Sequence, residues 1–299
     1  MMQPARRGIL VGVDGSAAAL AAVRWAAHDA ALRDVPLTVV HVVNDPVSGW
    51  FQVPAPAGFR QWQEKRAREF IETAIKVAED STGERGPVQI DAKVLHAAIV
   101  PTLVDLSKGV EMVVVGYRGH GGVLVRNFLG SVSSGLVYQA HCPVAVIHDD
   151  EPMVSNVVRA PVLVGIDGSP ASEAATAIAF EEASRRGVGV VALHAWTDPR
   201  VANLKDKYQN AAWDAQLSHE EETLAERLAG WQERYRDVGI RRRIEIGDAA
   251  SPLIEASERA QLLVVGSHGR GGFAGMLLGS VGAAVVNRAK IPVIVARQS

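Results

Sequence analysis

The second half of the chain repeats the first, and this duplication is the strongest constraint on what the chain can fold into. The segment ILVGVDGS at 9–16 returns as VLVGIDGS at 162–169, which lies 153 residues later. The segment LGSV at 129–132 returns in the same way at 278–281. A period near 150 residues is far longer than a solenoid unit and matches one whole domain. The 299 residues therefore predict two similar domains, 1–150 and 160–299, joined by a charged, proline-bounded linker.

Each half alternates short apolar runs with amphipathic segments, a pattern that predicts alternating strands and helices. In the first half, strands are predicted at 8–13, 37–43, 88–95, 112–115 and 143–147. Helices are predicted at 16–33, 59–80 and 131–140, with a short helix opened by Pro101 between the third and fourth strands. The order β-α-β-α-β-α-β-α-β predicts the α/β class, with two similar doubly wound parallel five-stranded sheets that are Rossmann-like.

The composition of the strands predicts the order 3-2-1-4-5 in each sheet. The runs 9–13 and 112–115 are continuously apolar, as central parallel strands are. The segment 88–95 and its copy alternate apolar with charged residues, which is typical of a protected free edge. The last strands, 144–147 and 293–296, are wholly apolar. Because an uncovered apolar edge invites pairing, we expect these two strands to pair with each other or with another chain, about a pseudo-twofold axis.

A glycine-rich loop follows the fourth strand of each half. It reads GYRGHGG at 116–122 and GSHGRGG at 266–272, and a later Gly-Ser pair, 130–131 in the first half, opens the next helix. Glycines let backbone N–H groups approach an anion, and the first N–H groups of a helix lack partners and carry the positive end of its dipole. In this strand order the loop faces Asp14, or Asp167 in the copy, where open α/β sheets bind ligands. The sequence therefore predicts an anion site in each half.

Several side chains near these loops have two possible roles, one in the structure of the fold and one in binding a ligand. Ser16 and Ser169 are first of all helix N-caps, and Ser131 and Ser280 occupy cap positions that also face the predicted anion. Asp14 either caps the first helix or contacts a ribose or a metal. His41 and His194 recur at the end of the second strand of each half, where packed core histidines are favoured over proton shuttles.

Composition and missing motifs exclude several classes of function. The chain has 31 Lys and Arg against 33 Asp and Glu, without the basic surplus of nucleic-acid-binding proteins. No apolar run approaches the roughly 18 residues of a membrane-spanning helix, and a cytoplasmic location is expected. The one cysteine, Cys142, excludes a disulfide framework and a cysteine-based zinc cluster. Neither a Walker loop nor a G-x-S-x-G nucleophile elbow occurs.

These paired features resemble the ATP-binding branch of the universal stress protein family. They are the apolar strand that ends in Asp and the pattern G-x2-G-x9-G-S before the fourth helix, and the resemblance covers essentially the whole chain as a tandem pair. It implies one ATP in each domain, with or without Mg²⁺ and with no other metal site. Adenine would lie against the end of the second strand, the adenosine near the aspartate, and the triphosphate on the glycine loop. The implied contacts are Gly12, Val13, Asp14, Val42, Val43, Gly116, Gly119, Gly130, Ser131, Val132 and Ser133 in the first half, and Gly165, Ile166, Asp167, Ala195, Trp196, Gly266, Gly269, Arg270, Gly279, Ser280 and Val281 in the second.

The two loops differ, which predicts sites of unequal affinity. Nine residues separate the glycines at 269 and 279, but ten separate those at 119 and 130, so the first loop must bulge. Gly282 stands where the first half has Ser133, which removes one hydroxyl from the phosphate end. We also expect that alanine at Gly116, or at its copy, blocks the approach of phosphate to the backbone.

The resemblance implies a nucleotide-dependent regulator of growth or stress adaptation, with no enzymatic role and little or no hydrolysis. We expect the chain to form a homodimer and to bind a protein partner. We do not expect it to bind a nucleic acid or a membrane. Two alternatives stay open at this point. One is a slow nucleotide hydrolase or nucleotidyl transferase of similar fold. The other is an interaction scaffold whose loops hold no nucleotide.

Overall fold

The computed structural model describes residues 8–44, 58–82, 86–119, 129–148, 159–196, 211–270 and 278–297. The loop after the second strand, most of the linker and the middle of each glycine-rich loop lie outside these residues, so the bulge expected in the first loop stays a prediction. The chain divides into two compact units, Met1–Asp149 and Asp150–Gln298. No helix in the described part is both long enough and apolar enough to cross a bilayer.

The first unit alternates strands and helices as the sequence predicts. Its strands are β1 (Ile9–Gly12), β2 (Leu37–Val43), β3 (Ile90–His96), β4 (Met112–Gly116) and β5 (Val144–Ile147). Its helices are α1 (Ala17–Arg33), α2 (Phe59–Ser81), α3 (Ile99–Leu106) and α4 (Ser131–Gln139). The predicted bounds differ from these by two residues or fewer.

The second unit repeats this order. Its strands are β6 (Val162–Gly165), β7 (Val190–Trp196), β8 (Ile240–Ile246), β9 (Leu262–Gly266) and β10 (Val293–Ala296). Its helices are α5 (Pro170–Arg186), α6 (Ala211–Arg234), α7 (Ala250–Ser257) and α8 (Ser280–Arg288).

The strand order within each unit is the predicted one. It runs β3-β2-β1-β4-β5 in the first unit and β8-β7-β6-β9-β10 in the second, with neighbouring strands parallel. The doubly wound α/β architecture is therefore confirmed. The chain leaves β1 and β4 in opposite directions across the sheet, so the carboxyl ends of these adjacent strands form the crevice in which such folds bind ligands. The pairing of the two apolar last strands and the pseudo-twofold axis stay predictions.

A buried ion pair recurs at the same place in both units. In α1 the carboxylate of Asp29, which is fully buried, lies 2.7 Å from Nε of Arg33. In α5 the fully buried carboxylate of Glu182 lies 2.8 Å from a terminal guanidinium nitrogen of Arg186. Buried charges require such partners, because desolvation of a lone charge is costly. The rest of the inner face of α1 is mostly alanine, which lets the helix approach the sheet closely.

Candidate functional site

A cavity of about 550 Å³ lies at the carboxyl ends of β6, β7 and β9, at the predicted crevice of the second unit. Its volume falls within the roughly 300–1,000 Å³ typical of small-molecule sites. Its lining includes every residue predicted for the second site except Trp196. The cavity therefore brings together the end of β6, the end of β7, the described part of the glycine-rich loop and the start of α8.

Trp196 is outside the lining because of the strand pleat. Successive side chains of a strand point to opposite faces of the sheet, and Ala195 takes the face on which the cavity lies. The lining of the cavity therefore does not include Trp196, and a contact of this residue with adenine stays a prediction. Val43 holds the equivalent position in β2, next to Val42, so the same alternation applies to that pair.

An apolar wall of the cavity was not anticipated from the sequence. It includes Leu193 from β7 and Leu253 from α7, together with Ala249 just before that helix. In the first unit Leu103 of α3 takes the place of Leu253, since an added Cβ at Gly12 would lie 3.7 Å from its Cδ1 atom, as one at Gly165 would lie 3.1 Å from Cδ1 of Leu253. This wall could have been predicted from the short helix after the third strand of each unit, because the apolar residues of that helix have to face the sheet. Ser172, His268 and Gly282 are further lining residues outside the prediction.

An Asp-Gly-Ser turn joins the first strand of each unit to the next helix. Gly15 has φ +82° and Gly168 has φ +76°, a backbone conformation that favours glycine. The Oδ1 atom of Asp14 accepts the N–H of Ser16 at 2.9 Å, and Asp167 accepts the N–H of Ser169 at the same distance. Both aspartates thus shape the turn before the helix, which agrees with the structural role considered for Asp14. Its contact with a ribose or a metal stays a prediction.

The predicted N-cap role of the two serines in this turn is confirmed. The hydroxyl oxygen of Ser16 accepts the N–H of Ala19 at 3.1 Å, and that of Ser169 accepts the N–H of Ser172 at 3.2 Å. Each hydroxyl also reaches across to the glycine-rich loop. The Ser169 hydroxyl donates to the carbonyl of His268 at 3.2 Å. Ser16 makes the equivalent contact at 3.5 Å.

The aspartate of each turn also supports the glycine-rich loop. The N–H of Arg270 donates to Oδ2 of Asp167 at 3.0 Å. An added Cβ at Gly269 would lie 2.6 Å from the same oxygen, and one at Gly119 would overlap the carboxylate of Asp14. These glycines are needed because the loop passes directly over the carboxylate.

Glycine, not serine, occupies the N-cap position of α4 and α8, so the cap assignment for Ser131 and Ser280 was wrong. Both serines are the first helical residues, and both are exposed. The first intrahelical bonds run from Ser134 to the carbonyl of Gly130 at 2.8 Å and from Ala283 to that of Gly279 at 2.9 Å. The N–H groups of 131–133 and 280–282 precede those bonds, and no described side chain caps either helix.

Gly116 and Gly266 are required for packing against the neighbouring helix. An added Cβ at Gly116 would lie 2.6 Å from the carbonyl carbon of Ala18 in α1. At Gly266 the corresponding distance, to Ala171 in α5, is 2.8 Å. A methyl group at either glycine would collide with the helix backbone, and the expectation that it also blocks phosphate stays a prediction.

The Ser133 hydroxyl has an intramolecular partner. It donates to the carbonyl of Gly116 at 2.7 Å, and the residue is 4% exposed. Ser133 thereby ties the start of α4 to the end of β4, and its contact with phosphate stays a prediction. At Gly282, an added Cβ would lie 3.0 Å from Cδ1 of Leu278.

The two recurring histidines link neighbouring strands. Nδ1 of His41 lies 2.7 Å from the carbonyl of Val13, and Nδ1 of His194 lies 2.6 Å from that of Ile166. Because a carbonyl only accepts, Nδ1 carries the proton in both rings. This is the packed arrangement that the sequence favours. Among the side chains that the structure describes, no group of three His, Cys, Asp or Glu is placed to hold a metal ion.

Comparison with known proteins agrees with this architecture. The model of the universal stress protein family matches residues 5–148 and again 159–297. A universal stress protein of Mycobacterium tuberculosis is 53% identical over 292 residues, which cover 98% of this chain and 97% of that protein. One from Mycolicibacterium smegmatis is 50% identical over 290 residues, 97% of each chain. A crystal structure of a universal stress protein from Archaeoglobus fulgidus has a TM-score of 0.70 at 20% identity, covers 98% of this chain and 97% of that one, and supports the fold. With both halves matched by the family model and close relatives along its full length, the chain belongs to the universal stress protein family.

Proposed function

We propose that this chain binds one ATP in each domain, 1–150 and 160–299, and acts as a nucleotide-dependent regulator of growth or stress adaptation without significant hydrolysis. The observation that carries the proposal is the cavity of the second unit. It places an apolar wall and a set of uncapped helix N–H groups in one space of suitable volume.

The apolar end of the cavity suits a nucleobase. Leu193, Ala195 and Leu253 offer apolar surface at the end of β7 and along α7. In the first unit, Val42 and Leu103 occupy the matching positions and are buried. Transfer of the faces of an aromatic ring from water to such an apolar surface is favourable, because it lowers the free energy of the system.

The opposite end suits a chain of phosphates. The N–H groups of 280–282 have no intrahelical acceptor, and the helix dipole adds positive potential there. Ser280 is exposed at this point and lines the cavity, with Gly269 and Arg270 across from it. Asp167 lines the same cavity, and the sugar of the nucleotide is expected near it, as the resemblance implies. Mg²⁺ with the phosphates is compatible with the proposal.

Calorimetric titration with ATP tests the proposal with variants that place a negative charge at the phosphate end. The wild-type chain should bind two ATP, Ser280→Asp one, and Ser131→Asp with Ser280→Asp none. A carboxylate beside the phosphates should weaken binding at its own site by ~100-fold. The same carboxylate is favourable at a helix N-terminus, so the variants should melt no lower than the wild type without nucleotide.

The neutral variant Ser280→Asn is the matched control and should retain binding close to wild type. Two ATP bound by Ser280→Asp would contradict the proposed phosphate end. Turnover of bound ATP should stay far below about 1 per second, the lower end of typical enzyme rates. Turnover at or above that rate would support the hydrolase alternative. If ATP does not bind and denatured protein releases no nucleotide, the scaffold alternative is supported.

A further inference from the structure

The exposed edge of β3 carries a self-complementary pattern. We propose that β3 pairs with β3 of a second copy of the chain, antiparallel and about a twofold axis at Ala92. Among the described strands, only β2 pairs with β3, so no strand that the structure describes bonds to the other side of this seven-residue strand. Val94 on this strand is 37% exposed. This inference goes beyond nucleotide binding and does not depend on it.

The backbone of β3 fixes which residues can bond to a partner. Leu37 donates to the carbonyl of Gln89, and Ala97 donates to the carbonyl of Val43, at the two ends of the β2–β3 ladder. In a parallel ladder, alternate residues of one strand bond to the neighbour. The odd-numbered residues of β3 therefore face β2. The even-numbered residues, 90, 92, 94 and 96, direct their N–H and C=O groups to the open side.

Charge favours the register centred on Ala92 over the adjacent registers centred on Asp91 or Lys93. With the twofold axis at Ala92, Ile90 lies opposite Val94 of the partner chain, and Asp91 lies opposite the partner's Lys93. Symmetry makes each of these contacts twice. With the axis moved by one residue, Lys93 would face its own copy, and like charges directly opposite each other destabilise a strand pair.

Asp91 and Lys93 are available for this contact. Both are exposed, and within the described residues neither has a hydrogen bond or an ion pair to another side chain. The equivalent edge of the second unit differs. There Arg243 is already paired with Glu245 of the same strand. The matching register on β8 would place Arg241 opposite Arg243, so β8 is protected where β3 is self-complementary.

A twofold contact of this kind closes on itself and gives a dimer. Each copy contributes the same surface, whereas pairing of β3 with β8 of another copy would leave free edges and build open chains. The proposal therefore predicts dimers and no higher assemblies through this edge.

Cysteine cross-linking of the full chain tests the register directly. Ala92→Cys should form a disulfide-linked dimer under mild oxidation, because hydrogen-bonded antiparallel residues lie about 5.5 Å apart between Cα atoms. Val94→Cys should not, since its copy would lie about 13 Å away along the strand. The wild-type chain is the control, because its one cysteine, Cys142, is buried. Cross-linking through Val94→Cys, or through neither variant, would overturn the proposal.

Charge variants give a second test by sedimentation of the free protein. Lys93→Asp should weaken the dimer at least about tenfold, since it converts two attractive contacts into two repulsive ones. The double variant Asp91→Lys with Lys93→Asp restores both contacts and should restore the dimer. Arg241→Asp on β8 is the matched control and should leave the dimer unchanged. A dimer indifferent to Lys93→Asp, or assembly into higher species, would refute the β3 contact.

Discussion

At the residue scale, Gly116 illustrates a glycine that packing requires, since an added Cβ would lie 2.6 Å from the carbonyl carbon of Ala18. We predict that Gly116→Ala lowers the free energy of unfolding by about 1–3 kcal/mol, because the methyl group would force α1 away from β4. Urea unfolding without nucleotide measures this. Gly109→Ala is the control, since an added Cβ there meets no atom within 4 Å. A stable Gly116→Ala variant that loses only ATP binding would return this glycine to the ligand site.

Asp167 combines two hydrogen bonds that substitution can separate. Asp167→Ala leaves the N–H groups of Ser169 and Arg270 without this acceptor and should cost about 1–3 kcal/mol of stability. Asp167→Asn retains an acceptor for Ser169 and loses the one for Arg270, so its loss should be smaller. Chemical unfolding of both variants gives the comparison. Equal losses would mean that the bond to Ser169 contributes nothing measurable.

At the scale of elements, two helical glycines predict opposite effects of the same substitution. Gly230 lies inside α6, and an added Cβ there meets nothing within 4 Å. Gly230→Ala should therefore stabilise the protein by about 0.5–1 kcal/mol through helix propensity. Gly135 lies inside α4, where the Cβ would lie 2.6 Å from Cγ1 of Val100 in α3. Gly135→Ala should destabilise, and thermal unfolding distinguishes the two signs.

The elements themselves could be predicted because their signals are local. Apolar runs of four to seven residues set the strands, and the charged alternation of 88–95 and its copy marked β3 and β8 as edges. The site was predictable where it follows from chain order, as with Asp167 and the start of α8. It was not predictable where distant elements meet. The collision of Gly116 with Ala18 and the wall formed by Leu253 depend on how closely helices approach the sheet, which no local pattern encodes.

At the scale of the whole molecule, duplication has produced two Asp-Gly-Ser turns with one backbone plan and different surroundings. The Asp-Gly-Ser turn of the first unit is covered by the ring of Phe70, which would overlap a Cβ at Gly15. In the second unit Arg227 takes that place over Gly168, and its Nη1 atom lies 3.5 Å from Oε1 of Glu173. The family model matches both units, over 5–148 and 159–297. The units nevertheless differ in the residue that covers this turn, Phe70 or Arg227, and in the length of the glycine-rich loop.

Because the plan is repeated, each unit can serve as the internal control for the other. Hydrogen exchange followed by mass spectrometry should show that ATP protects the backbone at 116–119 and 130–134 in the first unit, and at 266–270 and 279–283 in the second. In Ser280→Asp, protection should persist in the first unit and disappear in the second, since binding stabilises only the region that holds the ligand. At ATP concentrations about 100 times the Kd, the protection corresponds to about 2.7 kcal/mol. Loss of protection in both units of this variant would show instead that occupancy of one site controls the other.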